Sequence, residues 1–468
     1  VFMLVKKLLY FVVLFASLTL SAQVGIGTTN PDASSLFEVQ STTKGLLTPR
    51  MTTAQRTAIS SPANGLLVYD TDESAFYYYE SAAWSRLKGA EKRDNYVLVK
   101  SQADLPAPSG SVITLDENTF YEINGTIALT ASINLNGAYV SGLDATEDVL
   151  SYSGGTVFSG STGGSIRNIT ITGARAFNIS ASVSESLLVQ NTIVANTTTS
   201  VGTIANLGLF FGNIVQFLNN ADGVTYTNIG NLLLNNQAWL SSNSGTYERL
   251  SGTFGLVQKV SGFSTVSGSA RAFDVSSNPT VGNGVLLSTV FSGTSSNPYI
   301  NRYTAGSYTG YNFTNNWTVN CPGIPVESDN VATSNLYFDS APIVNLGTAA
   351  IKLPVSTLST RMFRTSTGSV SNRVVYEGKK ARALKIFGAI SFTAIGGMRV
   401  TFSIRKNGVL VSGTEVVYDI INTNDRQGLS IIGTVDVNPA DYIEIYVERN
   451  ASSGSNQFLV TSYNLIVD

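Results

Sequence analysis

Short apolar phrases recur along the middle of the chain and predict a repetitive β-structure. Ile166–Ile171, Ile204–Leu209 and Ile229–Leu234 each follow the pattern aliphatic, any residue, Asn, aliphatic, any residue, aliphatic. The first two phrases start 38 residues apart, which equals two steps of 19, and the third starts 25 residues later. Repeats at such spacings are typical of solenoids, and alternating aliphatic residues favour strands over helices. The pattern therefore predicts a parallel β-helix.

The asparagines of these phrases, Asn168, Asn206 and Asn231, predict a structural role. Stacked Asn side chains form ladders of amide hydrogen bonds in cross-β structures. Asn also tolerates the left-handed backbone conformation that turns need. We therefore expect the three residues to form one ladder at a turn of the β-helix, and a ligand contact is the alternative interpretation.

Two further regions flank the predicted β-helix, which covers residues 96–373. Residues 23–95 form a small N-terminal module, in which Thr52–Gln55 has the spacing of a capping box and Leu66–Tyr69 with Phe76–Tyr79 predicts a hairpin. A module of about 65 residues buries little surface and tends to oligomerise. Residues 374–468 predict an antiparallel β-sandwich, since Asn407-Gly408 is a hairpin signal and Tyr442–Glu448 alternates strictly.

Residues 1–22 predict a secretory signal peptide. Lys6-Lys7 precede an apolar run from Leu8 to Leu20, and Ser21-Ala22 provide small residues for cleavage before Gln23. The run is shorter than the roughly 20 residues that a membrane-spanning helix needs, and no later apolar run is long enough. We expect a mature chain without a transmembrane segment, secreted or held at the cell surface.

The composition excludes several classes of functional site. The chain has no histidine, which excludes zinc sites built on His and catalysis by Ser-His-Asp or Cys-His. Its single cysteine, Cys321, excludes an intrachain disulfide and a multi-Cys metal site. The 29 basic and 31 acidic residues give no field that would favour a nucleic-acid partner. We therefore predict no cofactor and no metal site.

An aromatic-rich segment between Tyr299 and Trp317 provides the predicted ligand-binding residues, Tyr308, Tyr311 and Trp317. Asparagines are interleaved with these aromatic residues. The C–H faces of sugar rings stack on aromatic rings, while sugar hydroxyls bond to amides. The segment therefore predicts a glycan site, and the alternative is aromatic packing at a solenoid end or a trimer interface.

We predict no catalytic residue, and Asp144, Glu147 and Asp148 are the candidates if the protein is an enzyme. A glycosidase needs two carboxylates, roughly 5 to 10 Å apart, and these three acids lie close together within the predicted β-helix. The same run also fits a turn between two coils, which requires no catalytic role.

Three stretches resemble parts of known fibre proteins. Ser41–Arg56, with Gly65–Asp72 and Trp84, resembles a module found in Bacteroidetes surface proteins and in phage tail-fibre-like proteins. The resemblance depends chiefly on the Lys-Gly and Pro-Arg-Met motifs. Ile113–Ile127 resembles the opening coils of tailspike-type right-handed β-helices. The C-terminal strand pattern resembles the jelly-roll heads, of tumour-necrosis-factor or C1q type, that end many trimeric fibres. These resemblances imply an all-β homotrimer with a right-handed parallel β-helix and a jelly-roll-like sandwich.

Three functional hypotheses follow. The first is an exported tail-fibre-like or adhesin-like protein that binds a glycan or a cell-surface partner. The second is a polysaccharide depolymerase, either a lyase or a glycoside hydrolase, acting on the flank of the β-helix. The third is a purely structural surface component. Since β-helices serve both enzymes and binding proteins, the fold alone does not decide between them.

Overall fold

The computed structural model describes residues 3, 5–7, 23–87, 94–450 and 456–468, in two units, Val1–Arg93 and Asp94–Asp468. The predicted signal peptide therefore lies, except for residues 3 and 5–7, outside the described residues. Within the described part of the chain, no helix is long and apolar enough to cross a membrane. Nearly all regular structure is β-structure, which confirms the predicted all-β class.

The first unit contains two small sheets and one short helix. β1 (Val24–Ile26) pairs in parallel with β2 (Phe37–Val39), and the second sheet contains β3 (Arg50–Met51), β4 (Leu67–Asp70), β5 (Ala75–Glu80) and β6 (Ala83–Arg86). β4 and β5 form the predicted hairpin. The predicted capping box starts α1 (Thr53–Thr57): the Thr52 amide donates to Gln55 Oε1 at 2.9 Å, and the Gln55 amide donates to Thr52 Oγ1 at 3.3 Å.

An ion pair replaces much of the apolar core in this first unit. Arg56 Nε lies 2.8 Å from Asp70 Oδ2, both side chains are buried, and the guanidinium stacks 3.8 Å from the ring centre of Tyr77. The buried apolar cluster beside it comprises Val68, Ala75 and Tyr77. So small a core agrees with the expectation that the module needs partners for stability.

The second unit begins with a parallel β-solenoid, which confirms the predicted β-helix. Its 19 strands form one continuous sheet with parallel pairings. A short 3-10 turn, Gln102–Asp104, follows the first strand. The strands are β7 (Tyr96–Val99), β8 (Val112–Thr114), β9 (Phe120–Ile123), β10 (Thr126–Ala128), β11 (Ser132–Asn134), β12 (Tyr139–Ser141), β13 (Val149–Gly160), β14 (Gly164–Arg167), β15 (Thr170–Ser180), β16 (Ser186–Ala195), β17 (Ser200–Ala205), β18 (Leu209–Leu218), β19 (Val224–Trp239), β20 (Thr246–Val266), β21 (Arg271–Asp274), β22 (Thr280–Leu287), β23 (Val290–Gly293), β24 (Ile300–Asn301) and β25 (Trp317–Asn320).

Each regular turn of the solenoid contributes three strand segments, so the solenoid has three faces. The first face includes residues 164–167, 187–190, 209–213 and 231–235. The second includes 175–180, 200–205 and 224–227. The third includes 170–171, 193–194, 216–217 and 238–239. Alternate residues point inward and stack between coils, as Ile166 does on Val189.

The three apolar phrases do not share one column, so the predicted ladder of Asn168, Asn206 and Asn231 is wrong. Ile166 stacks on Val189 of the first face, whereas Ile204 stacks on Tyr226 of the second. The reason is that all three faces share the same inward and outward alternation, so one phrase fits several of them. Amide side chains do bond between neighbouring coils, but in other pairs, of which one includes Asn206: Asn228 Nδ2 donates to Asn206 Oδ1, Asn219 Nδ2 donates to Asn196 Oδ1, and Asn220 Nδ2 donates to Asn243 Oδ1.

One corner of the solenoid repeats a left-handed residue in successive coils. The six residues directly after the first-face segments have φ between +47° and +61°: Asn168, Asn191, Ile214, Asn236, Ser261 and Ser288. Successive members are 22 to 27 residues apart, so the coil is longer than the predicted step of 19. L-residues pay a steric cost in this region, and Asn pays less than most.

A buried ion pair interrupts the aliphatic interior. Glu248 and Lys259 occupy inward positions that apolar residues fill in neighbouring coils, such as Val224 and Leu234. Lys259 Nζ lies 3.0 Å from Glu248 Oε1, and both side chains are at most 1% exposed. Burial raises the pKa of Glu248, and the Lys259 charge opposes that shift. Lys259 Nζ also lies 4.8 Å from the ring centre of Tyr247.

The C-terminal strands form two antiparallel sheets around a second apolar core, which confirms the predicted sandwich. The Asn407-Gly408 hairpin and the burial of Ile443, Ile445 and Val447 follow the sequence pattern. One sheet contains β26 (Thr333–Ser340), β27 (Val344–Asn345), β29 (Ser356–Phe363), β32 (Arg382–Ala394), β36 (Gln427–Val437) and β38 (Gln457–Val467). The other contains β28 (Ile351–Lys352), β30 (Thr365–Ser366), β31 (Val374–Tyr376), β33 (Arg399–Lys406), β34 (Val409–Leu410), β35 (Val416–Asp419) and β37 (Tyr442–Arg449).

The sandwich starts earlier than the predicted boundary at residue 374. β26 pairs with β38, the last strand of the chain, so residues from Thr333 onward already belong to the sandwich sheets. The last strand of the solenoid is β25, which ends at Asn320. β26 also pairs with the nearby β29, but its pairing with β38 joins residues more than 120 positions apart, which no local pattern contains.

Candidate functional site: a groove between solenoid and sandwich

Trp317 lies in the core and not at a binding surface. Its side chain is fully buried, and its ring centre lies 4.8 Å from that of Phe313 and 6.0 Å from that of Phe273. Its Nε1 donates to the hydroxyl of Tyr303 at 3.1 Å. A ring enclosed in this way cannot stack on a sugar, so Trp317 leaves the predicted ligand-binding set.

Tyr308 and Tyr311 join the end of the solenoid to the sandwich. Both contact Phe363: Tyr311 stacks on it at 4.2 Å between ring centres, and Tyr308 meets it edge-on at 5.4 Å. The Tyr308 hydroxyl donates to Glu377 at 2.9 Å, and burial together with the negative charge of Glu377 raises the pKa of Tyr308 well above its ordinary value. The two tyrosines thus pack as the alternative interpretation expected, but Tyr311 also borders a groove.

Buried charges fix the two parts relative to each other. Arg364 is 1% exposed, and it donates to Asn315 Oδ1 at 2.7 Å and to the carbonyl of Trp317 at 2.7 Å. It also lies 2.5 Å from Asp329. Charge-assisted bonds of this kind are stronger than neutral ones, and they hold the last coil in place against the sandwich.

A groove of about 780 Å³ opens where the 309–311 loop meets the outer face of the sandwich. We name it the junction groove, and its main side chains are Tyr311, Asn335, Arg361, Phe387 and Ile466. Phe387 and Ile466 are each 43% exposed and are paired across β32 and β38. Asn335 is oriented by Asn464, whose Nδ2 donates to Asn335 Oδ1 at 2.7 Å. The groove thus combines an apolar floor with an amide and an exposed guanidinium.

The acidic run Asp144–Asp148 forms a turn. Asp148 is buried: its Oδ1 accepts from the Gly125 amide, and its Oδ2 accepts from the amides of Leu143 and Asp144. Asp144 accepts from both the amide and the hydroxyl of Thr146, and these bonds lower the pKa of Asp144. Glu147 is exposed beside them. The carboxylates of Asp144 and Asp148 thus accept bonds within the turn itself, which fits the turn interpretation.

A comparison of the sequence with known families identifies the start of the chain. Residues 25–103 match the phage tail like trimerisation region. This range covers the small first unit and ends just after β7, in the first turn of the solenoid. The match supports a homotrimeric, tail-fibre-like protein. No match to a curated protein was found.

Among solved structures, murine APRIL at pH 8.5 matches with 10% identity and a TM-score of 0.21, covering 29% of this chain and 98% of that chain. Eiger TNF from S. frugiperda has 9% identity and a TM-score of 0.22, covering 29% and 91%. The enzymatically active domain of bacteriophage CBA120 tailspike protein 4 has 9% identity and a TM-score of 0.20, covering 90% and 77%. These similarities are low, and the fold rests on the strand pairing described above.

Sequence reasoning missed most of the groove residues. Phe387 lies between Ile386 and Gly388 in a strand whose even-numbered residues point into the core, so its outward position was readable from the alternation. An aromatic ring on the outer face of a sheet was the available signal. Asn335 and Ile466 had no such signal, because they become neighbours only through the pairing of β26 with β38.

Proposed function

We propose that the protein is a homotrimeric, tail-fibre-like surface protein that binds a glycan in the junction groove. The observation that carries the proposal is the exposed ring of Phe387 beside Tyr311, Asn335 and Arg361 in a groove of about 780 Å³. A sugar ring would stack on Phe387 and bond to Asn335 and Arg361 through its hydroxyls. Ligand sites are typically concave and largely apolar, with a few polar groups that fix orientation.

The test is a glycan array with the full chain, followed by titration of any ligand found. Phe387→Ala should weaken binding about two- to tenfold, since an aromatic contact is worth about 0.5–1.5 kcal/mol and about 1.4 kcal/mol corresponds to tenfold. Phe263→Ala is the matched control, because Phe263 is similarly exposed, at 39%, but lies on the solenoid. Equal losses for both variants, or no loss for Phe387→Ala, would refute the groove as the site.

Two of the predicted ligand-binding residues give a further control. Tyr311→Ala should weaken binding because Tyr311 lines the groove. Trp317→Ala should instead lower the stability by about 3–5 kcal/mol, because it empties a core position. Affinity and thermal unfolding measured on both variants separate the two roles.

We further propose export, with cleavage of residues 1–22 and a mature chain that starts at Gln23, as the charge and apolar pattern predicts. Mass spectrometry of protein recovered outside the producing cell tests this cleavage. The Bacteroidetes origin and the jelly-roll connectivity of the sandwich stay predictions. The depolymerase hypothesis also stays a prediction, and it is tested by searching glycan incubations for new reducing ends or unsaturated uronates.

A further inference from the structure

A column of apolar side chains runs along the outside of the first face. Strand pairing aligns its members from coil to coil: Tyr96, Phe120, Tyr139, then after Ser165 the residues Leu188, Phe211 and Leu233. We name these six residues the apolar column. Tyr139 is 45% exposed and the others are half-buried. The rings of Tyr96 and Phe120 stack at 5.9 Å.

The second face shows what an outer surface of this solenoid looks like when it meets water. The equivalent outward column there is polar throughout: Asn178, Thr203, Thr225, Arg249, Asp274 and Asn301. In both columns, inward-pointing and outward-pointing residues alternate along each strand in the same way. The strand structure therefore does not require the outward-pointing residues of the first face to be apolar. Contiguous exposed apolar surface on a soluble protein usually marks an interface.

The third face carries exposed Phe263 and Val290, but its outward column is interrupted by Gln216 and reaches these residues only in late coils. The apolar column differs because it begins at Tyr96, inside the range 25–103 that matches the trimerisation region. Apart from the buried Ser165, it continues from that range to Leu233, before Gln258 follows in the next coil, and it has no charged member. Equivalent charges would repel one another if three copies brought them together around an axis.

We propose that the apolar column faces the three-fold axis of a homotrimer and packs against the same column of two other copies of this chain. This inference rests on the homotrimer in the proposed function and extends the subunit contact from the trimerisation region along the solenoid. The occupant is a second copy because the column continues the range that brings copies together. The polar second face then stays in contact with water.

Site-directed crosslinking of the full chain tests the proposal. Phe211→Cys and Leu188→Cys place thiols in the column, and a short bismaleimide should convert most of each variant to covalent dimers on a denaturing gel. Each chain carries one new thiol, and each thiol reacts with only one maleimide. A bismaleimide therefore joins two chains of a trimer, and the third chain stays unlinked. Thr225→Cys on the second face and Phe263→Cys on the third are the controls and should stay monomeric on the gel. The native Cys321 is 3% exposed, so the wild type should not react.

Light scattering on the same samples separates the two proposals. A trimer in which neither column variant crosslinks overturns the apolar column as the interface, while the homotrimer stands. If the protein is a trimer and Phe263→Cys crosslinks while Phe211→Cys stays monomeric on the gel, the interface lies on the third face and the column proposal is overturned. A monomer overturns the homotrimer and the column together. Two column variants are used so that misfolding of one leaves the other to decide.

Discussion

Replacing Ile214 by Asn should stabilise the solenoid. Ile214 has φ +55° at the corner where Asn191 and Asn236 occupy the equivalent positions in the neighbouring coils. The left-handed conformation costs an L-residue roughly 1–2 kcal/mol, and the cost is largest for β-branched side chains. Asn bears this conformation more easily because its side chain bonds locally to the backbone.

The expected gain is at most about 1 kcal/mol. Ile214 is 53% exposed, so Asn gives up about half of an apolar contact that is worth about 1.5–3 kcal/mol when complete, and its own Cβ and Cγ retain some of that contact. An unfolding entropy of about 2 cal/mol/K per residue over the solenoid converts a gain of about 1 kcal/mol to a rise of about 2 °C in Tm, which is the upper limit expected.

Differential scanning calorimetry at one fixed scan rate measures the change. Asn191→Ile is the matched reverse substitution one coil earlier, at φ +49°, and it should lower Tm by a similar or larger amount. The reasoning is refuted if Ile214→Asn lowers Tm, or if Asn191→Ile leaves it unchanged. Either result would mean that side-chain packing, and not backbone conformation, governs this corner.

Three further predictions concern other parts of the solenoid. Lys259→Met should cost about 3–5 kcal/mol at pH 8, because it leaves Glu248 buried without its cation. Burial raises the pKa of Glu248 in the folded state, so the protonated carboxyl fits the interior better than the charged one. The contribution of Glu248 to stability is therefore present below its unfolded pKa and is lost as pH rises through its folded pKa. The urea midpoint of Lys259→Met should accordingly fall less, relative to the wild type, at pH 5 than at pH 8. Asn220→Ala should cost at least about 3 kcal/mol in urea unfolding, since it orphans several buried backbone and side-chain partners, whereas the exposed Asn231→Ala should change stability by less than about 0.5 kcal/mol. Asp148→Asn should lower stability by about 1–3 kcal/mol, because both carboxylate oxygens accept backbone amides and in either orientation of the Asn amide one of these sites receives an NH₂ donor; unchanged thermal unfolding would contradict the turn assignment.

Local patterns predicted the local structure well. Three features depend only on residues that are a few positions apart in the sequence. They are the Thr52–Gln55 capping box, the Asn407-Gly408 hairpin and the alternation of Tyr442–Glu448. The all-β class, the β-helix and the sandwich follow from many such signals together. These features are decided by short-range geometry, so one sequence suffices to find them.

Register and site depended on contacts that no local pattern contains. The alignment of Ile166 with Val189 is set by stacking inside the solenoid. The repeated sequence pattern instead matches Ile166 with Ile204, which lies on the second face. Trp317 has the same neighbours in sequence whether its ring points outward or inward, and the structure places it inward. The junction groove joins Tyr311 to Phe387, which are brought together only where the solenoid contacts the sandwich, two parts with distinct apolar cores.

The left-handed corner has a consequence for the length of the protein. Since equivalent corner positions recur in six successive coils, removing residues 191–213 would join Gln190 to Ile214 and let the inward residues of the coils on either side stack on each other. One such excision would shorten the solenoid by a single strand spacing, about 4.8 Å. The distance from Tyr96 to the junction groove is therefore a quantity that deletion or duplication can adjust in whole coils, without redesigning either end.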